Sequence, residues 1–209
     1  MAKYYENSTV FQYSWEQVLQ GFWKRYPNPY SLHVLSEDTI EREIRPDGKL
    51  YSKRVLTKTN RVPKWGERLF KAKFVCIIEE SLVDPNGKTL TTHTRNIGFN
   101  KIMSVVEKVV YTPDTHGKTI AQRYAWIDSQ VYGFATAIRA FGCERFKKNC
   151  YRTFLGFNYI LGILFPTQHI NSSLQHPDVA QKFKEVAKTA SEHMKEQIYV
   201  ASHYNVSQN

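Results

Sequence analysis

Three loops that close on glycine, Pro46-Asp-Gly48, Asp84-Pro-Asn-Gly87 and Pro113-Asp-Thr-His-Gly117, do most to limit what this chain can become. Each lies between two runs rich in β-branched and aromatic residues. Glycine supplies the positive φ that a tight reversal needs, which is a hairpin signature. Hairpins in succession predict strands at about 33–45, 49–59, 73–84, 89–97, 101–112 and 119–131. Weak alternation over Tyr4–Tyr13 predicts a further strand ahead of them. Ser14-Trp-Glu-Gln17 then has the capping-box pattern, with Trp15, Val18, Leu19 and Phe22 marking one face of a helix that must end before Pro27.

After Phe134 the pattern turns helical and meets no proline until Pro166, with an apolar stripe of Ile138, Phe141, Phe146, Phe157, Ile160, Leu161 and Leu164. Strands in series followed by one long helix predict an α+β fold, a curved antiparallel sheet of about seven strands wrapping a long C-terminal helix, with a ligand cavity in the hollow between them. Residues 1–165 form that domain. Residues 166–209 read as a polar linker and an amphipathic helix from His176 to about Tyr199.

The formal charge of +10, from 29 Lys and Arg against 19 Asp and Glu, asks for an anionic partner, either nucleic acid or an acidic membrane surface. Aromatic residues at 14% fit a binding cavity or a plain aromatic core. The longest apolar run, Tyr159–Phe165, falls far short of the roughly 18 to 20 residues that span a bilayer, so membrane contact is expected to be peripheral. The opening Met-Ala-Lys-Tyr-Tyr-Glu-Asn has neither a secretory apolar region nor an Arg-rich presequence, which predicts a cytosolic chain or an unusual import route. Cys143 and Cys150 lie about 10 Å apart along one helix, too far for a bridge.

The histidines show no metal spacing, so no metal site is expected. No Gly-x-Ser-x-Gly elbow, Walker loop, dinucleotide fingerprint or His-Glu-x-x-His motif occurs, and Asp38, Glu41 and Glu43 read as a solvated strand face; the expectation is a protein that is not an enzyme. Dispersed basic residues without a ribonucleoprotein motif argue against a nucleic-acid partner.

Between Asn60 and Lys73 the chain combines Trp65, Leu69 and Phe70 with five cations, the composition of a short element that enters lipid headgroups, or of an ordinary amphipathic loop over the core. Phe22 to Leu35 reads Phe-Trp-Lys-Arg-Tyr-Pro-Asn-Pro-Tyr-Ser-Leu-His-Val-Leu, a cation held against aromatic rings at a double-proline corner. A guanidinium there can fork onto phosphate while the rings line a dry cavity.

This stretch resembles the PRELI-type (PRELI/slowmo) lipid-transfer proteins of the mitochondrial intermembrane space, and the likeness runs from about residue 1 to about 165. The resemblance implies a helix-grip fold of the START/PITP kind that carries phosphatidic acid, its ligand in place of a cofactor, from the outer to the inner membrane for cardiolipin synthesis. It implies Arg25, His33, Lys58, Arg61, Arg145 and Arg152 as headgroup residues, although by spacing alone each could be a surface charge and His33 could finish a turn. Arg145 and Arg152 are two helical turns apart, on nearly one face. Val62, Lys64, Trp65, Arg68, Leu69 and Phe70 become a lid that touches the membrane, and Met103 and Phe141 cavity residues, where the family often has Trp near Phe141. Implied partners are an acidic, cardiolipin-rich membrane surface and a small helical-hairpin protein with twin Cx9C motifs. Relatives that handle phosphatidylserine leave the lipid ranking open. The alternatives are a lipid-binding scaffold or sensor that does not shuttle, and a basic nucleic-acid-binding module.

Overall fold

The first and third glycine loops turn through Gly48 and Gly117 at φ 79° and 72°. In the second, the left-handed residue is Lys88, at φ 45°, and not Gly87. Asp84 explains the difference: its Oδ1 accepts the backbone N–H groups of Asn86 (3.0 Å) and Gly87 (2.9 Å), an Asx arrangement that shapes the loop from its first residue. The computed structural model describes residues 1–60, 73–100 and 102–166. The chain divides after Leu164, and Met1–Leu164 forms one compact unit. The helix expected from His176, like the expected lid, lies outside the described residues.

Around these turns run β2 (Val34–Ile44), β3 (Leu50–Thr59), β4 (Phe74–Asp84), β5 (Thr89–Ile97), β6 (Ser104–Pro113) and β7 (Thr119–Asp128). β1 (Lys3–Phe11) and α1 (Trp15–Phe22) precede them, and α2 (Ala135–Leu164) follows. All neighbours are antiparallel in the order β1-β7-β6-β5-β4-β3-β2, the expected seven-stranded sheet with one long helix. Because β1 and β2 occupy opposite edges, the chain from Phe11 to Val34 must cross the sheet. α1 makes that crossing, started by the expected capping box: Ser14 Oγ accepts from Gln17 N–H (3.3 Å), and Gln17 Oε1 from Ser14 N–H (2.9 Å).

Two boundaries differ from the sequence reading by three residues. β6 begins at Ser104 rather than about 101, because Gly98 and Phe99 are left-handed (φ 74° and 54°) and the Phe99 carbonyl accepts from Ile102 and Met103, both at 2.9 Å, to form a turn. β7 stops at Asp128 rather than 131, before the turn through Gly133 (φ 75°) that leads into α2.

The second half of α2 packs on α1 in a core of Phe11, Trp15, Phe22, Leu90, Phe157 and Leu161, all buried. A Cβ on Gly21 would stand 2.6 Å from Leu161 Cδ2, so only glycine admits the helix this closely. The buried positions of α2 include Gly142, Cys143, Cys150 and Gly156, whereas Phe141 and Phe146 of the expected stripe are half-buried. Small residues hold the contact face because α2 approaches its neighbours closely. At the other edge, β2 is mostly exposed, including Asp38, Glu41 and Glu43, and carries irregularities between Val34 and Ser36 and between Thr39 and Glu41.

Candidate functional site

Strand alternation sends one side chain in two to the concave face. Register then aligns Leu56 with Ile77, Lys58 with Val75, and Arg54 with Glu79. The first half of α2 spans this face without filling it, leaving a cavity of about 210 Å³. α2 contributes Gly142, Arg145, Phe146, Asn149, Cys150 and Thr153, the i, i+3, i+4 rows of one helical face. Opposite them stand apolar Leu56, Val75, Ile77, Val105 and Val109, with Met103 and Phe99 from the turn before β6. Met103 and α2 meet closely: a Cβ on Gly142 would lie 2.7 Å from Met103 Sδ.

Arg25 belongs to this wall and is 6% exposed. Two devices hold it there. Asn28 is buried at the double-proline corner; its Nδ2 donates to the Arg25 carbonyl (2.7 Å) while its Oδ1 accepts from Tyr30 N–H (3.0 Å). The Arg25 guanidinium lies 4.1 Å from the centroid of the Phe22 ring and 5.1 Å from that of Tyr26, a cation on aromatic faces.

Arg25 also donates to Glu79 Oε2, while Arg54 Nε donates to Glu79 Oε1 (3.1 Å) and Arg54 Nη1 to Glu37 Oε1 (2.6 Å). Arg54 and Glu79 are 1% and 4% exposed. Burial works against the charge on Glu79, but Arg25 and Arg54 outweigh it and hold its carboxyl below the usual range. For Glu37 burial dominates; the two guanidiniums offset it in part and its pKa is raised. A second pair crosses the cavity wall, where Arg123 binds Glu107, which also accepts from the Thr94 hydroxyl (3.0 Å). Beside it burial pushes Tyr111 and Cys150 up to about 12 each, so both are neutral near pH 7.

In these two networks three arginines are thus matched by three glutamates, while Lys58, Arg95 and Arg145 give the cavity wall an excess of positive charge. Lys58 stands outside both networks on the cavity wall, and Arg25 Nε is buried without a hydrogen-bond partner among the described residues. An N–H left unmatched in a cavity wall is a donor available to an anion.

Of the residues singled out in the sequence, Arg25, His33, Lys58, Arg145 and Met103 are brought together on this wall. The His33 carbonyl also accepts from Thr59 N–H (2.8 Å), which joins the corner to β3. Arg152 is exposed and does not line the cavity. Arg145 sits at the margin of the lining face, and two turns later the face has drifted about 20°, which carries Arg152 outside it. Phe141 is half-buried and also absent from the wall, since the lining row passes through Gly142, about 100° away. Arg61 and the lid residues Val62, Lys64, Trp65, Arg68, Leu69 and Phe70 lie outside the described residues. Sequence reasoning missed Arg54, Glu79, Glu107 and Arg123. The signal available was charged residues at alternate positions in strands whose other inward residues are apolar.

Residues 16–167 match the model of the PRELI-like family. The chain is 45% identical over 201 residues to PRELI domain-containing protein 1, mitochondrial, of Homo sapiens, covering 94% of this chain and 87% of the relative. It is 32% identical over 158 residues to the protein ups1 homolog of Schizosaccharomyces pombe, covering 74% and 92%. Among solved structures, TTHA0849 from Thermus thermophilus superposes with a TM-score of 0.53 at 14% identity, covering 78% of this chain and 99% of that one, a likeness of fold alone. The compartment named for the human relative is mitochondrial. The Arg-Tyr-Pro-Asn-Pro-Tyr corner, the sheet that grips α2 and these matches converge, and the chain belongs to the PRELI-like family.

Proposed function

We propose that this protein moves an anionic phospholipid, phosphatidic acid, from the outer to the inner mitochondrial membrane across the intermembrane space, in support of cardiolipin synthesis. The observation that carries the reading is Arg25, buried in the wall of a largely apolar cavity with its Nε unmatched. A phosphomonoester is compact and carries up to two charges, so it can take that donor and recruit Lys58 and Arg145. A choline or serine appendage would crowd the same groups. Enclosure is a physical necessity, since exposing two chains of about 16 carbons to water at ~0.8 kcal/mol per methylene would cost on the order of 20 kcal/mol. Nothing in this role requires bond chemistry, and the protein acts as a carrier rather than an enzyme.

The cation excess directs the domain to acidic, cardiolipin-rich surfaces, where Arg61 and the segment with Val62, Lys64, Trp65, Arg68, Leu69 and Phe70 serve as the door. A small helical-hairpin protein with twin Cx9C motifs is the proposed heterodimer partner.

Transfer of fluorescent phosphatidic acid between donor and acceptor vesicles tests the reading. Phosphatidic acid is expected to move at least tenfold faster than phosphatidylcholine, and Lys58→Glu and Arg145→Glu to remove that advantage. Equal rates for every headgroup, or both variants transferring like the parent, would overturn it. Binding without transfer would establish the static sensor instead.

A further inference from the structure

The concave side holds a second hollow. Between the β1 edge of the sheet and the middle of α2 lies a crevice of about 120 Å³. Tyr111, Arg123, Cys150 and Thr153 line both this crevice and the main cavity, so one layer of side chains divides them. Beyond that layer the walls are Phe11, Phe154 and Phe157; the Phe11 ring lies 5.3 Å from Phe154 and 5.0 Å from Phe157, centroid to centroid. Thr9 and Asn7 of β1 close the far side.

The charges here are already engaged. Arg123 binds Glu107 within the partition, and Lys147 at the outer rim donates to Glu144 (3.0 Å). The Cys150 thiol between the two hollows is neutral, because burial raises its pKa to about 12 against the opposing pull of Arg123. The walls of Phe11, Phe154 and Phe157 and the neutral thiol suit an alkyl chain. Size points the same way: the main cavity, at about 210 Å³, is smaller than the roughly 300–1,000 Å³ of sites that take a whole small ligand, and a two-chain lipid is larger than these.

We propose that the crevice between β1 and α2 is a second acyl compartment, which receives the end of one chain of the lipid held in the main cavity and thereby sets a preference for chain length. The inference rests on the phospholipid reading above. At the ~30 Å³ of a liquid water for each methylene, the crevice holds roughly four carbons, so chains differing by four carbons are the discriminating pair.

The test offers the full chain vesicles with equal amounts of dilauroyl and dipalmitoyl lipid, as phosphatidic acid and as phosphatidylcholine, and weighs the captured lipid by native mass spectrometry. The parent is expected to favour dipalmitoyl over dilauroyl by at least tenfold, within the ceiling of roughly two hundredfold that four methylenes at ~0.8 kcal/mol allow. Thr9→Phe fills the crevice from a position that does not line the main cavity, and is expected to abolish that preference while dilauroyl capture stays at the parental level. A parent indifferent to length, or a folded Thr9→Phe variant with the parental ratio, would overturn the proposal. Capture of phosphatidylcholine as readily as phosphatidic acid, with the length preference intact, would overturn the headgroup reading and leave the compartment standing. Capture of no lipid would overturn both.

Discussion

At the scale of single residues, the interior turns on Glu79, which accepts from two buried guanidiniums at once. Removing it leaves the buried Arg25 guanidinium without its carboxylate and Arg54 with Glu37 alone, and breaking a buried pair in this way costs about 3–5 kcal/mol. Glu79→Ala is expected to lower unfolding free energy by that amount in urea titration, more than any substitution among the exposed carboxylates of β2. Acid titration separates the two glutamates. Ionised Glu79 stabilises the fold above the ordinary carboxylate pKa of about 4.3, and this contribution is lost as pH falls through its lowered value. Glu37, with a raised pKa, contributes with the opposite sign: its ionised form costs stability near neutrality, and protonation relieves the cost. The urea midpoint is therefore expected to hold or rise slightly from pH 7 to about 5 and to fall below about pH 4. Glu37→Gln is expected to flatten the upper part of that curve.

At the scale of elements, the register of α2 against its neighbours depends on glycines. A Cβ on Gly156 would stand 2.7 Å from Asn28 Cγ and 2.8 Å from its Nδ2, and Asn28 is the side chain that pins the corner carrying Arg25. Gly156→Ala is expected to destabilise by about 1–3 kcal/mol, since the corner has to shift to admit a methyl group, and to weaken phosphatidic acid capture with it. Loss of stability is read in urea and capture by mass spectrometry. The hairpins were legible because their causes are local: glycine, proline and Asx residues sit inside each loop. The long helix was legible from the proline-free stretch up to Pro166, but not its buried face, since large apolar residues are the usual guide and here Gly142 and Gly156 occupy the tight contacts. Arg25 stood out through its local aromatic setting. Its counter-ion did not, because Glu79 lies 54 residues away and meets it only when α1 crosses the sheet. Arg145 and Arg152 look equivalent at a spacing of seven, and only the drift of a straight helix separates them.

At the scale of the whole molecule, the buried pairs balance one another, so the excess of ten positive charges in the sequence falls outside them. Interactions of exposed charges are screened over about 8 Å at physiological salt and about 3 Å at 1 M. Cosedimentation with cardiolipin-containing vesicles is accordingly expected to fall steeply between about 0.05 and 0.5 M salt, while capture of a lipid already inside the cavity changes little. Binding that ignores salt would remove the electrostatic account of docking.

Among the described residues the sheet is open, and β2 forms one of its rims, with backbone groups on that side that no neighbouring strand of these residues satisfies. Such a rim invites a second chain to add itself. Here Glu37, Asp38, Glu41 and Glu43, interrupted only by Arg42, lay mostly negative charge along the rim, and two irregularities bend it out of line. A straight, neutral β2 would be adhesive. A second copy of the sheet is thereby discouraged from adding itself at this rim.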